Sequence, residues 1–300
     1  MPETDGGTGA DSERELARVA AVSYLNTTPM IHGIDAWRDA DLITAVPARL
    51  ADMVLGGRAD VGLVSLADYA RAGDALALLS AGMIGCDGAT LTVRVFSSVP
   101  PARITTLHTD SDSHTSAVLA RIILAEAYDC RPEIAVFDAR ERAGDRDVSP
   151  EEAWPESLLL IGDKVVTDSP PAVRYPYQID LGEAWHGLTG LPFVYAVWMC
   201  RRDRMDDQRV RTIAALLDRQ RRRNRTRLDH LVAEEAARRG WPGDLARRYI
   251  GELLRFDVDA RAVQAVGLFF EKAAIHGLLP VSEPVWADWS PVEPAAPDGE

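Results

Sequence analysis

Long apolar runs are missing from this 300-residue sequence. No stretch approaches the roughly 20 consecutive apolar residues that a bilayer crossing needs. Residues 1–15 are rich in Gly, Thr, Asp and Glu, without the basic start and apolar centre of a secretory signal. Cysteine is scarce as well. Cys86, Cys130 and Cys200 are odd in number and widely spaced, which fits neither a disulfide framework nor a zinc site and predicts reduced, mostly buried thiols. These absences together predict a cytoplasmic protein with no membrane partner. Positive charge is also in deficit: 33 Lys and Arg stand against 46 Asp and Glu, a net charge of −13. A general nucleic-acid binder gains its affinity by neutralising phosphates, so that class is disfavoured. The one basic run, Arg219, Arg221, Arg222, Arg223, Arg225 and Arg227, has acidic neighbours in a helical segment and reads as a solvated helix face. No His, Cys, Asp and Glu grouping has metal-ligand spacing, no Gly-rich phosphate loop of a recognised kind is present, and no internal repeat organises the chain.

What is present is a globular composition, 47% apolar and 26% charged, with length for two modest domains. The stretch from Val19 to Pro29 begins as a short apolar strand, passes through Ser23, Tyr24, Asn26, Thr27 and Thr28, and resumes as a helix through Met30, Ile31 and Ile34. Asn26, Thr27 or Thr28 can cap that helix and Pro29 suits its first turn. A strand that feeds a helix N-terminus points unpaired backbone N–H groups at open space, an arrangement that favours anions; an ordinary βα turn accounts for the stretch equally well. Strands predicted at 41–46, 60–65 and 75–80 alternate with helical segments, implying βα units and a parallel sheet. The rhythm restarts at 104–109 and continues through a helix from Ala117 to Ala127 and strands at 133–137, 158–161 and 193–199, with a polar connector at 139–152. Residues 203–277 are helical throughout. The prediction is an α/β protein of two lobes joined by extended crossings near 92–98 and 194–199. A leader occupies 1–16, lobe 1 takes 17–95 with 198–282, lobe 2 takes 96–197, and 283–300 form a loose tail.

Three polar clusters stand at predicted strand-to-helix junctions: Ser23-Tyr24 with Asn26-Thr27, Ser113-His114-Thr115-Ser116, and Gly162-Asp163-Lys164. Helix capping by Ser113 and a surface ion pair at Asp163 and Lys164 are the bland accounts. A cradle of hydroxyls and backbone N–H groups for a carboxylate or phosphate is the functional one. Residue chemistry alone leaves a small-anion binder or a cofactor-free enzyme.

The motifs also resemble a known family. Val22-Ser23-Tyr24-Leu25-Asn26-Thr27-Thr28-Pro29, Ala59-Asp60-Val61-Gly62-Leu63-Val64, Ser113-His114-Thr115-Ser116, Leu159-Leu160-Ile161-Gly162-Asp163-Lys164, and the stretch from Asp180 through Gly190-Leu191-Pro192-Phe193 to Trp198 are similar, in order and spacing over about 17–282, to the chorismate dehydratases of menaquinone biosynthesis by the futalosine route. The resemblance implies a two-lobed fold like that of periplasmic type II solute-binding proteins, with parallel-rich sheets and a C-terminal helical segment. It implies a hydro-lyase that converts chorismate to 3-[(1-carboxyvinyl)oxy]benzoate, with no cofactor and no metal. It places Asn26 and Thr92 nearest the chemistry and Ser23, Tyr24, Thr27, Ser113, His114, Thr115, Ser116 and Asp163 around the substrate. Two departures stand out: His114 replaces an Arg usual in the family, and Thr92 replaces a Ser, with Thr90 the alternative if the alignment slips by two. Asp163, His114 or the substrate's own enolpyruvyl carboxylate are the candidate bases. A non-catalytic solute receptor and a dihydroxynaphthoate synthase-like enzyme are the rival readings, and no signal selects an oligomeric state.

Overall fold

A computed structural model describes residues 16–110, 113–137 and 154–287. The predicted leader up to residue 15, the connector at 139–152 and the tail from 288 lie outside the described residues.

The chain opens with β1 (Ala17–Ala21), α1 (Thr28–Ile31), β2 (Ala40–Thr44), α2 (Pro47–Leu55), β3 (Val61–Ser65), α3 (Leu66–Arg71) and β4 (Leu76–Cys86). It then builds a second sheet from β5 (Val93–Ser97), β6 (Thr106–Thr109), α4 (His114–Tyr128), β7 (Glu133–Val136), β8 (Ser157–Ile161), α5 (Lys164–Thr167), β9 (Tyr177–Asp180) and α6 (Leu181–Thr189). It returns through β10 (Phe193–Arg201), α7 (Gln208–Arg225), α8 (Leu228–Arg238), α9 (Gly243–Arg248), a π-helical turn at Tyr249–Leu253, β11 (Leu254–Arg255), α10 (Ala260–Ile275) and β12 (Trp286–Ala287). Among the described residues the first sheet runs β11-β4-β10-β3-β1-β2, with β12 also on β4, and the second runs β7-β6-β8-β5-β9.

Parallel pairing holds where βα units were expected, in β2-β1-β3 and β7-β6-β8. The sheets are nevertheless mixed. β10 inserts antiparallel between β3 and β4, and β5 lies antiparallel between β8 and β9. The chain changes sheets at 87–92 and again at 181–192. The crossings expected near 92–98 and 194–199 fall on β5 and β10, each of which hydrogen-bonds within a single sheet. Residues 283–287, expected to begin a loose tail, are tied down: Trp286 and Ala287 pair with Leu78 and Leu79, and the Tyr69 hydroxyl donates to Glu283 O and accepts from Val285 N–H.

Strand periodicity explains the layers. Along β1, Val19 and Ala21 face a core shared with Met30, Val61, Trp198, Ile213 and Leu217, whereas Ala20 faces the opposite core with Leu50, Val54 and Val64. Helices therefore cover both faces of the first sheet, and the small residues of β1 let them approach closely. Among the described residues no helix is long and apolar enough to cross a membrane, and all three cysteines are free and buried.

Candidate functional site

A cleft open to solvent, enclosing about 90 Å³, lies between the two sheets. Leu63, Ser65, Ile84 and Tyr195 supply one wall from β3, β4 and β10; Ile161 at the end of β8 and Ser113–Ser116 at the start of α4 supply the other. Tyr24, just past β1, closes one side. Ligand sites of open α/β folds occur at such carboxyl ends of strands, where helix N-termini converge.

The start of α4 is fixed by its neighbours. Thr115 Oγ1 accepts the Ala67 N–H at 3.0 Å, and His114 Nδ1 sits 2.6 Å from Asp68 Oδ1. The other oxygen of Asp68 accepts from the Ser65 hydroxyl at 2.8 Å, so one carboxylate organises Ser65 and His114 together. Ser113 does not play the capping role open to it. Its side chain makes no cap hydrogen bond, and its Oγ is buried without a partner. Ser116 lines the cleft beside it.

A second cluster forms next to the Tyr24 turn. Thr92 Oγ1 lies 2.6 Å from Tyr249 Oη, with both residues buried. The Asn26 amide lies beside the same phenol and favours its ionised form. Burial outweighs that help and raises Tyr249 well above the ordinary tyrosine range, which keeps it protonated. The Tyr249 ring stacks on Trp241 at 5.0 Å. Asn26 Oδ1 is buried with no partner. Thr90, the alternative to Thr92, points elsewhere: its hydroxyl is shared between Tyr195 Oη at 2.7 Å and Cys86 Sγ at 3.0 Å. Asp180 accepts the Thr90 and Leu91 N–H groups and those of Gly182 and Glu183, closing the Cys86–Thr90 turn onto α6. Burial pushes the Cys86 thiol up to about 12, so it stays a neutral thiol.

The remaining expected residues hold the turn in place. Thr27 is fully buried and donates its hydroxyl to Val22 O and Tyr24 O, at 2.9 and 2.7 Å. Ser23 is exposed, and its carbonyl accepts from Arg239 Nη1 at 2.6 Å. Asp163 accepts the Leu25 N–H through two long contacts of 3.4 Å, and Arg239 lies 3.8 Å away. Burial raises the Asp163 carboxyl against the opposing pull of Arg239 and Leu25 N–H. Asp163 thus joins the second sheet to the β1 turn, apart from the cleft lining. Gly162 beside it adopts φ +69°, donates its N–H to Thr92 O at 2.9 Å and packs against the Tyr24 ring.

The structure therefore brings Tyr24 and Ser113–Ser116 together in the cleft, and gathers Asn26 and Thr92 in an adjoining cluster. Tyr249, Ser65 and Asp68 join them without having been singled out. Ser65 and Asp68 carry a readable signal, a capping pair at the start of α3. Tyr249 carries none, since its place depends on the π turn. Among the described residues no group of three His, Cys, Asp or Glu could hold a metal ion.

Comparison with known proteins adds four findings. The profile of a family described as "Menaquinone biosynthesis" matches residues 17–275. A chorismate dehydratase of Thermus thermophilus is 28% identical over 243 residues, covering 76% of this chain and 84% of that protein. Among solved structures, a protein from Archaeoglobus fulgidus superposes with a TM-score of 0.66 at 16% identity, over 89% of this chain and 100% of that one. The periplasmic aliphatic sulphonate-binding protein of Escherichia coli gives 0.59 at 12% identity, over 95% and 98%. At these identities the structural likenesses establish the fold alone, which is that of periplasmic binding proteins.

Proposed function

The chain belongs to the menaquinone biosynthesis family, and from that premise we propose that it is a chorismate dehydratase, a hydro-lyase acting in the cytoplasm on the futalosine route. The observation that carries the reading is that, of the buried polar atoms without protein partners among the described residues, two oxygens, Asn26 Oδ1 and Ser113 Oγ, fall in the two clusters of the site. A buried polar group left unpaired costs about 1–3 kcal/mol, so a ligand that pairs both is favoured. Chorismate offers a ring hydroxyl that can donate to the Asn26 carbonyl oxygen and a carboxylate that can accept from the Ser113 hydroxyl.

The reaction removes a proton from the ring carbon that carries the enolpyruvyl ether and hydroxide from its neighbour, and the ring becomes aromatic. Negative charge spreads into the ring carboxylate as the C–H bond breaks. Hydrogen-bond donors placed where that charge grows lower the barrier. The first turn of α4, with Ser113 and Ser116, is suited to this task. Asn26 orients the hydroxyl that leaves, the Thr92 O–H, itself held by Tyr249, donates a hydrogen bond to it, and the proton taken from the ring carbon ends on that oxygen, so that water is what departs. The substrate's own enolpyruvyl carboxylate is the favoured proton acceptor, because Asp163 serves the β1 turn and His114 Nδ1 is committed to Asp68. The parts built on the two sheets act as lobes, and closure brings the clusters around the substrate.

The test is purified protein with chorismate, followed by absorbance and product mass. Loss of one water without added cofactor supports the dehydratase. Binding without turnover would favour a solute receptor instead, and turnover of a cyclised late intermediate alone would favour a dihydroxynaphthoate synthase-like role.

A further inference from the structure

A second cavity, of about 150 Å³, lies against the π-helical turn that carries Tyr249. Pro29, Leu228, Ile250, Leu254 and Phe256 give it apolar walls. Three guanidinium groups, from Arg221, Arg225 and Arg255, also line it, against the single carboxylate of Asp257. We propose that this cavity binds a small organic anion, a carboxylate on an apolar body, and that its occupancy regulates the neighbouring reactive cluster. The binding half stands on this cavity alone; the regulatory half rests on the dehydratase reading.

The charge distribution is the first argument. Asp257 is shared, with Oδ1 on Arg221 and Oδ2 on Arg225 at 3.0 Å. Arg221, buried, also pairs with Asp218 at 2.6 Å. Arg255 bonds only to the carbonyls of Glu252 and Leu254, at 2.7 and 3.1 Å, and has no carboxylate partner among the described residues. A chain with a net charge of −13 thus keeps an uncompensated guanidinium at the edge of an apolar hollow. A few charged groups over apolar walls is the usual make-up of small-molecule sites. An apolar body on the Leu228, Ile250 and Phe256 side would leave a carboxylate at Arg255 and Arg225.

Shared backbone is the second argument. Ile250 and Gly251 follow Tyr249 within the π turn, and Pro29 follows Asn26 by three residues. The cavity wall and the Asn26–Thr92–Tyr249 cluster are therefore two sides of the same segments. Single π turns inside helical segments are concentrated at functional sites. A ligand that binds one setting of this turn better than another shifts where Tyr249 Oη stands relative to Thr92.

The experiment uses the full chain and 4-phenylbutyrate as probe, with 4-phenylbutanol as its uncharged counterpart, by titration calorimetry. Binding of the carboxylate at least tenfold tighter than the alcohol is expected, weakened at least tenfold in Arg255→Glu. Leu228→Trp, which fills the hollow without altering its charge, should also abolish binding, and melting curves verify that each variant folds. Equal binding of acid and alcohol, no binding, or wild-type binding in both variants overturns the site. Chorismate turnover should change at least twofold with saturating probe in the wild type and not in Arg255→Glu. Unchanged turnover with intact binding overturns the regulatory half only, and a wild type that never converts chorismate refutes the dehydratase reading while leaving the binding result standing.

Discussion

The hydroxyls of Thr92 and Tyr249 meet at 2.6 Å across 157 residues of chain. Because burial holds the phenol in its neutral form, Tyr249 can donate to Thr92 and free the threonine proton for a departing oxygen. Thr92→Val keeps the side-chain shape and removes that donor. Its kcat on chorismate should fall on the order of 10²–10³-fold, as for loss of one donor from an oxyanion hole. Tyr249→Phe acts one bond further away and should lower kcat roughly 5- to 10-fold with KM little changed, the worth of one ordinary hydrogen bond. Steady-state kinetics within twofold of wild type for both variants would remove the cluster from the chemistry.

Ser113→Ala separates binding from folding. In the free protein the Ser113 hydroxyl is buried with nothing to bond, so its loss should leave the melting temperature unchanged or slightly raised. With substrate bound it would lose a charge-assisted hydrogen bond, about 1.5–3 kcal/mol, which is roughly a 10- to 150-fold rise in KM. A normal KM would mean that the carboxylate does not lie at the start of α4.

How far the site is legible in sequence follows from how local each part is. The β1 turn is readable because an apolar strand, a polar cluster and Pro29 lie within eleven residues, and the same holds for Ser113–Ser116 ahead of α4. Tyr249 is invisible because its place is set by a π turn packed against Trp241 and by a partner from a distant strand. Thr27 reads as a ligand in sequence, yet its hydroxyl is consumed by the carbonyls of its own turn. The parallel sheet is foreseen at β1–β3 because βα units are local. The antiparallel entry of β10 is not, since an apolar run suits either direction. The short pairing of β12 hides in a proline-rich segment whose composition suggests a free end.

Asp163 and Asp60 should respond to pH in opposite senses. Burial raises Asp163, so protonation favours the folded state; that contribution is present below the unfolded value near 3.8 and is lost as pH rises through the folded value. Asp163→Asn, whose amide oxygen can still accept the Leu25 N–H, should therefore match or exceed wild-type stability at pH 7, with the difference closing in acid. Its turnover should also stay within about tenfold of wild type, since loss of a general base costs 10²–10⁴-fold. A larger loss would return Asp163 to the role of base.

Asp60 is the converse case. Burial acts to raise it but is overcome by the Arg18 N–H and by Arg209 and Arg18, and the net shift is downward. Its carboxylate also takes Arg204 at 3.2 Å beside Arg209 at 3.0 Å, tying α7 and the turn before it to the start of β3. The folded form therefore gains stability from the ionised group above the unfolded value, and loses it as pH falls through the lower folded value. Asp60→Asn should cost about 1.5–3 kcal/mol at neutral pH, the order for hydrogen bonds to a charged group, since the arginines left behind stay partly in water. In denaturant melts that gap should narrow from about pH 3.8 downward, where the unfolded chain takes up its proton first, and close once the pH passes the lower folded value. A gap that stays constant into acid would show that the side chain acts through packing, with its charge contributing nothing to the anchoring of α7.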